Sequence, residues 1–151
     1  MRVVIQRVTK ASVAIEGQVR SSIGNGLLVL AGFESADGSE DLEWIANKIA
    51  QLRIFEDDKG IMNRSVKEIE GEMLVVSQFT LHAKTKKGNR PSYINAAPPE
   101  ISIPLYNRFV ETLSVIVGKE VKTGEFGAMM MVELINDGPV TIIIDSKNKD
   151  L

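Results

Sequence analysis

The run LLVLAGF at residues 27–33 has no charged and no polar side chain. Such a run suits a strand buried inside a fold, so this chain must build a core around a sheet. It has the means: 151 residues, 44% of them hydrophobic, suit one domain with a sizeable interior. Gly24-Asn25-Gly26 ahead of the run is a turn signal. Residues 2–8 (RVVIQRV) and 12–16 (SVAIE) read as paired strands, and Gly17-Gln18 turns into a short third strand near 18–23. Leu42, Ile45, Ile49 and Leu52 share one helical face, with Ser39 as N-cap and an end near Arg53. EDDKG at 56–60 is a polar turn. PPEI at 98–101 opens a second helix, with the stripe Leu105, Phe109, Leu113 and Val117 and a C-cap at Gly118. Two further strands, near 128–135 and 140–145, flank the turn signal NDGP. With no regular βαβα alternation and no repeat, the expectation is an α/β fold. It is one domain over 1–151 on a mixed, strongly curved sheet with flanking helices, ending in a polar tail at 146–151.

Charge and rare residues narrow the chemistry. The net charge of −2 gives no global pull toward nucleic acid or membrane, so any such attraction must come from a local patch. There is no cysteine, which removes disulfide scaffolds, thiolate zinc sites and a thiol nucleophile, and fits a reducing compartment. The opening MRVVIQRVTKASVAI has no long apolar stretch and no small-residue cleavage site. No window approaches the ~20 apolar residues of a membrane span. A cytoplasmic protein without membrane contact is expected. The one histidine, His82, would have to serve any Ser-His-Asp triad, and a multi-histidine metal site is impossible. Neither a metal nor a cofactor is expected.

Three stretches carry chemistry. MLVVSQFTLHA at 73–83 begins as a buried strand and then places Ser77, Gln78 and Thr80 in it. Alternation would set Ser77, Phe79 and Leu81 on one face and Gln78, Thr80 and His82 on the other. Ser and Thr are tolerated in strands, but a buried amide needs several partners or costs about 1–3 kcal/mol. Such a cluster before a glycine-containing loop can line a ligand site. His82 reads as a partly exposed strand-end residue or as a base. KTKKGNR at 84–90 holds Lys84, Lys86, Lys87 and Arg90. It is either a solvated loop or a phosphate-binding patch. Asp137-Gly138-Pro139 is a plain hairpin turn, or a site where a cis peptide aims two carbonyls one way.

SQFTL at 77–81, KKGNRPS at 86–92 and NDGPVT at 136–141 together resemble the D-aminoacyl-tRNA deacylases of the bacterial and eukaryotic type. The likeness covers nearly the whole chain, including IGNGLLVL at 23–30, AAPPE at 96–100 and TGEFGAMM at 123–130. It implies a homodimer with a barrel-like sheet core that hydrolyses the ester between a D-amino acid and the acceptor end of tRNA. It also implies removal of glycine mischarged on tRNA for alanine. Ser77 and Gln78 would line the pocket of one subunit. Gly138 and Pro139 would come from the other subunit, their carbonyls holding the substrate ammonium so that an L side chain clashes. Lys84, Lys86, Lys87 and Arg90 would meet tRNA phosphates. Two catalytic forms stay open. Either Thr80 acts as a nucleophile with His82 as base, or the backbone N–H groups of Phe79 and Thr80 stabilise the oxyanion while the ribose 2′-hydroxyl helps water attack. A non-catalytic nucleic-acid-binding member of the same fold is the alternative. His82 stands where this family commonly has an aromatic residue, Tyr93 where phenylalanine is frequent, and Met129 and Met131 where polar residues are common.

Overall fold

The computed structural model describes all residues, 1–151. In chain order the elements are β1 (Arg2–Ile15), β2 (Gln18–Ile23), β3 (Gly26–Gly32), α1 (Ser39–Gln51), β4 (Phe55–Glu56), β5 (Met62–Arg64) and β6 (Glu72–Ser77). A 3₁₀ turn at Phe79–His82, α2 (Pro99–Val117), β7 (Lys122–Thr123) and β8 (Met131–Asp145) complete it. The large sheet runs β2-β1-β3-β6-β7, and β8 pairs antiparallel with the free side of β1. β3 and β6 are parallel, as are β6 and β7; the remaining pairs are antiparallel, so the sheet is mixed. It curves until β2 and β7 meet, where the Ser21 hydroxyl donates to the carbonyl of Thr123. The expected curved, barrel-like sheet is present and nearly closed.

The central strands are buried on both faces, as their unbroken apolar runs require. Leu27, Val29, Ala31, Met73 and Val75 join the core beneath the helices. Leu28, Leu74 and Val76 join a second cluster with Val8, Val13 and Ile23 on the other face. From α1, Leu42, Ile45 and Ile49 close the first core, and from α2, Tyr106, Phe109 and Leu113 do so. The Tyr106 hydroxyl donates to the carbonyl of Val75 at 2.8 Å. Burial pushes that phenol up to about 12, so it stays a donor throughout the physiological range.

Four local expectations change. Residues 2–8 and 12–16 are not two strands but one, β1, because Thr9-Lys10-Ala11 holds no turn former. Gly38 rather than Ser39 is the N-cap of α1, which ends at Gln51, and its N–H is held by the Asp41 carboxylate at 2.9 Å. The stretches 128–135 and 140–145 belong to one strand, β8. NDGP is no hairpin turn, because both of its flanks pair with the same partner: Gln6 faces Thr141 and Val8 faces Asn136. The four residues between them, 137–140, therefore bulge out opposite Arg7. Finally, β6 stops at Ser77 and the chain winds into the 3₁₀ turn, so alternation does not continue to His82. Gly118, in contrast, caps α2 in the left-handed conformation (φ 69°) as expected.

Candidate active site

β6 leaves the sheet at a place shaped by Gly32. The ladder with β3 ends at the pair Ala31–Ser77, and the Gln78 N–H still bonds to the Ala31 carbonyl at 2.8 Å. Beyond that point the chain folds against the glycine. A Cβ on Gly32 would lie 2.8 Å from the Gln78 carbonyl oxygen and 3.1 Å from both His82 Cδ2 and Leu81 Cβ. Absence of a side chain thus admits the turn. Arg2 clamps its far end: Nη1 donates to the Leu81 carbonyl at 2.9 Å, while Nε donates to Asp145 at 2.9 Å. Burial acts to raise the Asp145 carboxyl, but the Lys147 N–H and Arg2 outweigh it and hold the group below its usual range.

This turn borders an apolar cavity of about 330 Å³. Gly32, Ser77, Gln78 and Phe79 form one wall, Ser102 of α2 and Ala97 another, and residues 126–130 the rim. The Gln78 amide donates to Thr80 Oγ1, which satisfies part of the amide inside the motif itself. Phe79 and Thr80 open the turn, where backbone N–H groups lack an acceptor within the helix. Of the expected residues, Ser77, Gln78 and Phe79 line the cavity, brought there by a turn and not by a strand face, while Thr80 sits in the turn but is not part of the lining.

His82 is buried rather than partly exposed. Its Nδ1 lies 3.4 Å from Glu34 Oε1, and its Nε2 is buried without a partner. No hydrogen bond joins it to Thr80, whose hydroxyl is engaged by Gln78. Lys84, Lys86, Lys87 and Arg90 are exposed and form no ion pair with any carboxylate. Their loop is a hairpin closed by Lys84 and Ser92, which exchange backbone bonds of 2.8 and 3.0 Å. No group of three or more His, Cys, Asp or Glu side chains could hold a metal ion.

Gly138 and Pro139 are exposed, are joined by a cis peptide bond, and do not line this cavity within one chain. Arg7 anchors their bulge. Although 6% exposed, its guanidinium donates to the Ile54 carbonyl at 2.6 Å and to the Asp137 carbonyl at 3.3 Å, and lies 3.2 Å from the Asp137 carboxylate. Asn136 closes the bulge by donating to the carbonyls of Arg7 and Val140, at 3.1 and 3.0 Å. Arg2, Arg7 and Glu34 escaped the sequence reading. Arg7 left one signal: it is a charge on the face of β1 that Val3 and Ile5 bury.

A nearly closed α/β sheet with a turn-walled apolar cavity and a free cationic hairpin suits a small organic group held beside a phosphate-bearing one. The sequence model of D-Tyr-tRNA(Tyr) deacylase matches residues 4–145, and the chain belongs to that family. Proteins named D-aminoacyl-tRNA deacylase from Bacteroides thetaiotaomicron and Flavobacterium psychrophilum are 64% and 62% identical to it, each covering 99% of this chain and 100% of their own length. Among solved structures, the c-Myc DNA Unwinding Element Binding Protein is 44% identical with a TM-score of 0.92, over 96% of this chain and 98% of its own. A probable eukaryotic D-amino acid tRNA deacylase, 20% identical with a TM-score of 0.81 over 95% and 97%, shares the fold.

Proposed function

We propose that this chain hydrolyses the ester of D-aminoacyl-tRNA to free D-amino acid and tRNA, and that it also clears glycine mischarged on tRNA for alanine. The observation that carries this reading is the 3₁₀ turn. In a family of deacylases it follows directly on Ser77 and Gln78, which with Phe79 line an apolar cavity, and it opens with the N–H groups of Phe79 and Thr80. Ser77 and Gln78 hold the substrate, and the N–H groups of Phe79 and Thr80 take up the charge on the ester oxygen as water attacks. A nucleophilic Thr80 is the weaker form, because His82 meets Glu34 and not Thr80. Activation of the water falls to the ribose 2′-hydroxyl next to the ester.

The site is completed by a second copy of the chain. β8 has an unpaired outer edge, and Met131, Ile135 and Ile143 on it are 77%, 50% and 49% exposed. A long apolar edge of this kind calls for a cover. In a homodimer the partner's exposed Gly138–Pro139 bulge would enter the cavity and accept the substrate ammonium with its two carbonyls. An L side chain would then strike main chain, whereas D leaves freely and glycine has nothing to strike. The free cations at 84–90 meet phosphates of the acceptor end. No helix is long and apolar enough to cross a membrane, and the work is assigned to the cytoplasm, where tRNA is charged.

The test is hydrolysis of matched D-, L- and glycyl-tRNA with a chelator present. Loss of the D and glycyl esters with the L ester spared is expected. The 44% identical relative named for DNA binding favours one other reading, a nucleic-acid-binding protein without turnover. Folded protein that binds tRNA and spares every ester would establish it.

A further inference from the structure

The apolar surface beside the cavity has an aromatic pair that the chemistry above leaves unused. Phe79 is 55% exposed and Tyr93 39%, and Ile94, next to Tyr93 in the chain, is 80% exposed. The two rings meet edge to face, with centroids 5.0 Å apart at 77°. An edge-to-face contact covers one face of one ring, and the other ring faces are free of the pair itself. The Tyr93 backbone is nevertheless fixed on both sides. Ser92 closes the cationic hairpin against Lys84, and the Tyr93 carbonyl accepts from the Ala96 N–H at 3.0 Å. The pair thus lies between the cavity wall, of which Phe79 is part, and the hairpin that carries Lys86, Lys87 and Arg90.

We propose that Tyr93, braced by Phe79 and flanked by Ile94, is a stacking platform for an unpaired nucleobase of the tRNA acceptor end. The proposal rests on the deacylase reading. With the esterified terminal nucleoside in the cavity and phosphates on the hairpin, the single strand between them must cross this pair. Every base has a flat π-face, so an exposed ring on a fixed backbone binds it without regard to sequence. A tyrosine keeps its hydroxyl in water while the ring is covered. Tyr93 here is a binding residue, one nucleotide or more removed from the reacting ester.

Two measurements test it. In the first, Tyr93→Ala, Tyr93→Phe and Tyr93→Trp are compared on D-aminoacyl-tRNA and on a 3′-O-(D-aminoacyl)adenosine that has no preceding nucleotide. Tyr93→Ala lowers the preference for tRNA over the adenosine ester about 10-fold, through KM, consistent with the worth of one stacked base; Tyr93→Phe and Tyr93→Trp keep it. In the second, uncharged tRNA is bound with and without its unpaired 3′ end. Tyr93→Ala loses about 10-fold in affinity for the first and not for the second. Equal losses on both esters, or dissociation of a dimer by the alanine variant, would show a structural or interface role and overturn the platform. Wild-type protein that spares every ester would end the deacylase reading, and the binding comparison would still decide the platform.

Discussion

Gly32→Ala tests the link between the 3₁₀ turn and catalysis. Its Cβ would stand 2.8 Å from the Gln78 oxygen, where ordinary contact begins at 3.4 Å, so that contact alone needs 3.4 − 2.8 = 0.6 Å of movement. The other two close atoms, at 3.1 Å, belong to Leu81 and His82. All three lie within 78–82, while Gly32 is fixed in a strand paired with β1, so the turn gives way as a unit. Overpacking of this size costs about 1–3 kcal/mol, or roughly 2–12 °C in Tm for a chain of this length. The kinetic cost is larger. A displacement of 1 Å costs about 100-fold and loss of an oxyanion donor about 100–1,000-fold, so a shift of about half an ångström predicts a 10–100-fold fall in kcat. Single-turnover hydrolysis of D-aminoacyl-tRNA well below the Tm measures it. Leu113→Ala, a fully buried residue of α2 away from the turn, serves as a control of at least equal instability. If Gly32→Ala melts early yet keeps kcat within twofold, the turn does not hold the reacting ester and the catalytic assignment is wrong.

Gly138→Ala should lower both activity and Tm, because the residue has φ +114° and its Cβ would lie 2.8 Å from Arg7 Nη2 and 3.0 Å from Val140 Cγ2. Mixed with a Gly32→Ala chain, whose turn is displaced but whose bulge is intact, it should regain activity in heterodimers; none after proven subunit exchange would count against a shared site. Neutralising Lys86, Lys87 and Arg90 should weaken tRNA binding and reduce the slope of log K against log salt by about 2–3, read from titrations at several salt concentrations. Asp41→Asn should cost about 1 kcal/mol at pH 7 in denaturant unfolding, the shift being discounted for the solvent that screens a partly exposed carboxylate. Burial acts to raise the Asp41 carboxyl, but Ser146, the Gly38 N–H and Lys147 outweigh it and lower the group from 3.8 to about 2. Its contribution is therefore complete above the unfolded value and fades as the pH falls through about 2, so the gap between wild type and variant should narrow from pH 4 downward. A gap that stays constant to pH 2.5 would refute the assignment.

The sequence by itself determined the class of fold and the chemical motifs. Runs such as 27–33 and the stripes of α1 and α2 announce themselves because burial imposes a period on neighbouring residues, and that period is local. Ser77 to Thr80 were legible for the same reason: polar groups in an apolar run stand out wherever the run later bends. What only the tertiary structure decided depends on partners distant in sequence. Gly32 shapes the turn at 78–82 from another strand, Arg2 clamps it from β1, and Glu34 meets a buried His82. The bulge at 137–140 reads as a hairpin until β1 is seen to pair with both of its flanks, and Arg7 holds it from 130 residues away. Hydrogen bonds across such separations leave no period in the chain, which is why the motif could be read early and the geometry that arms it could not.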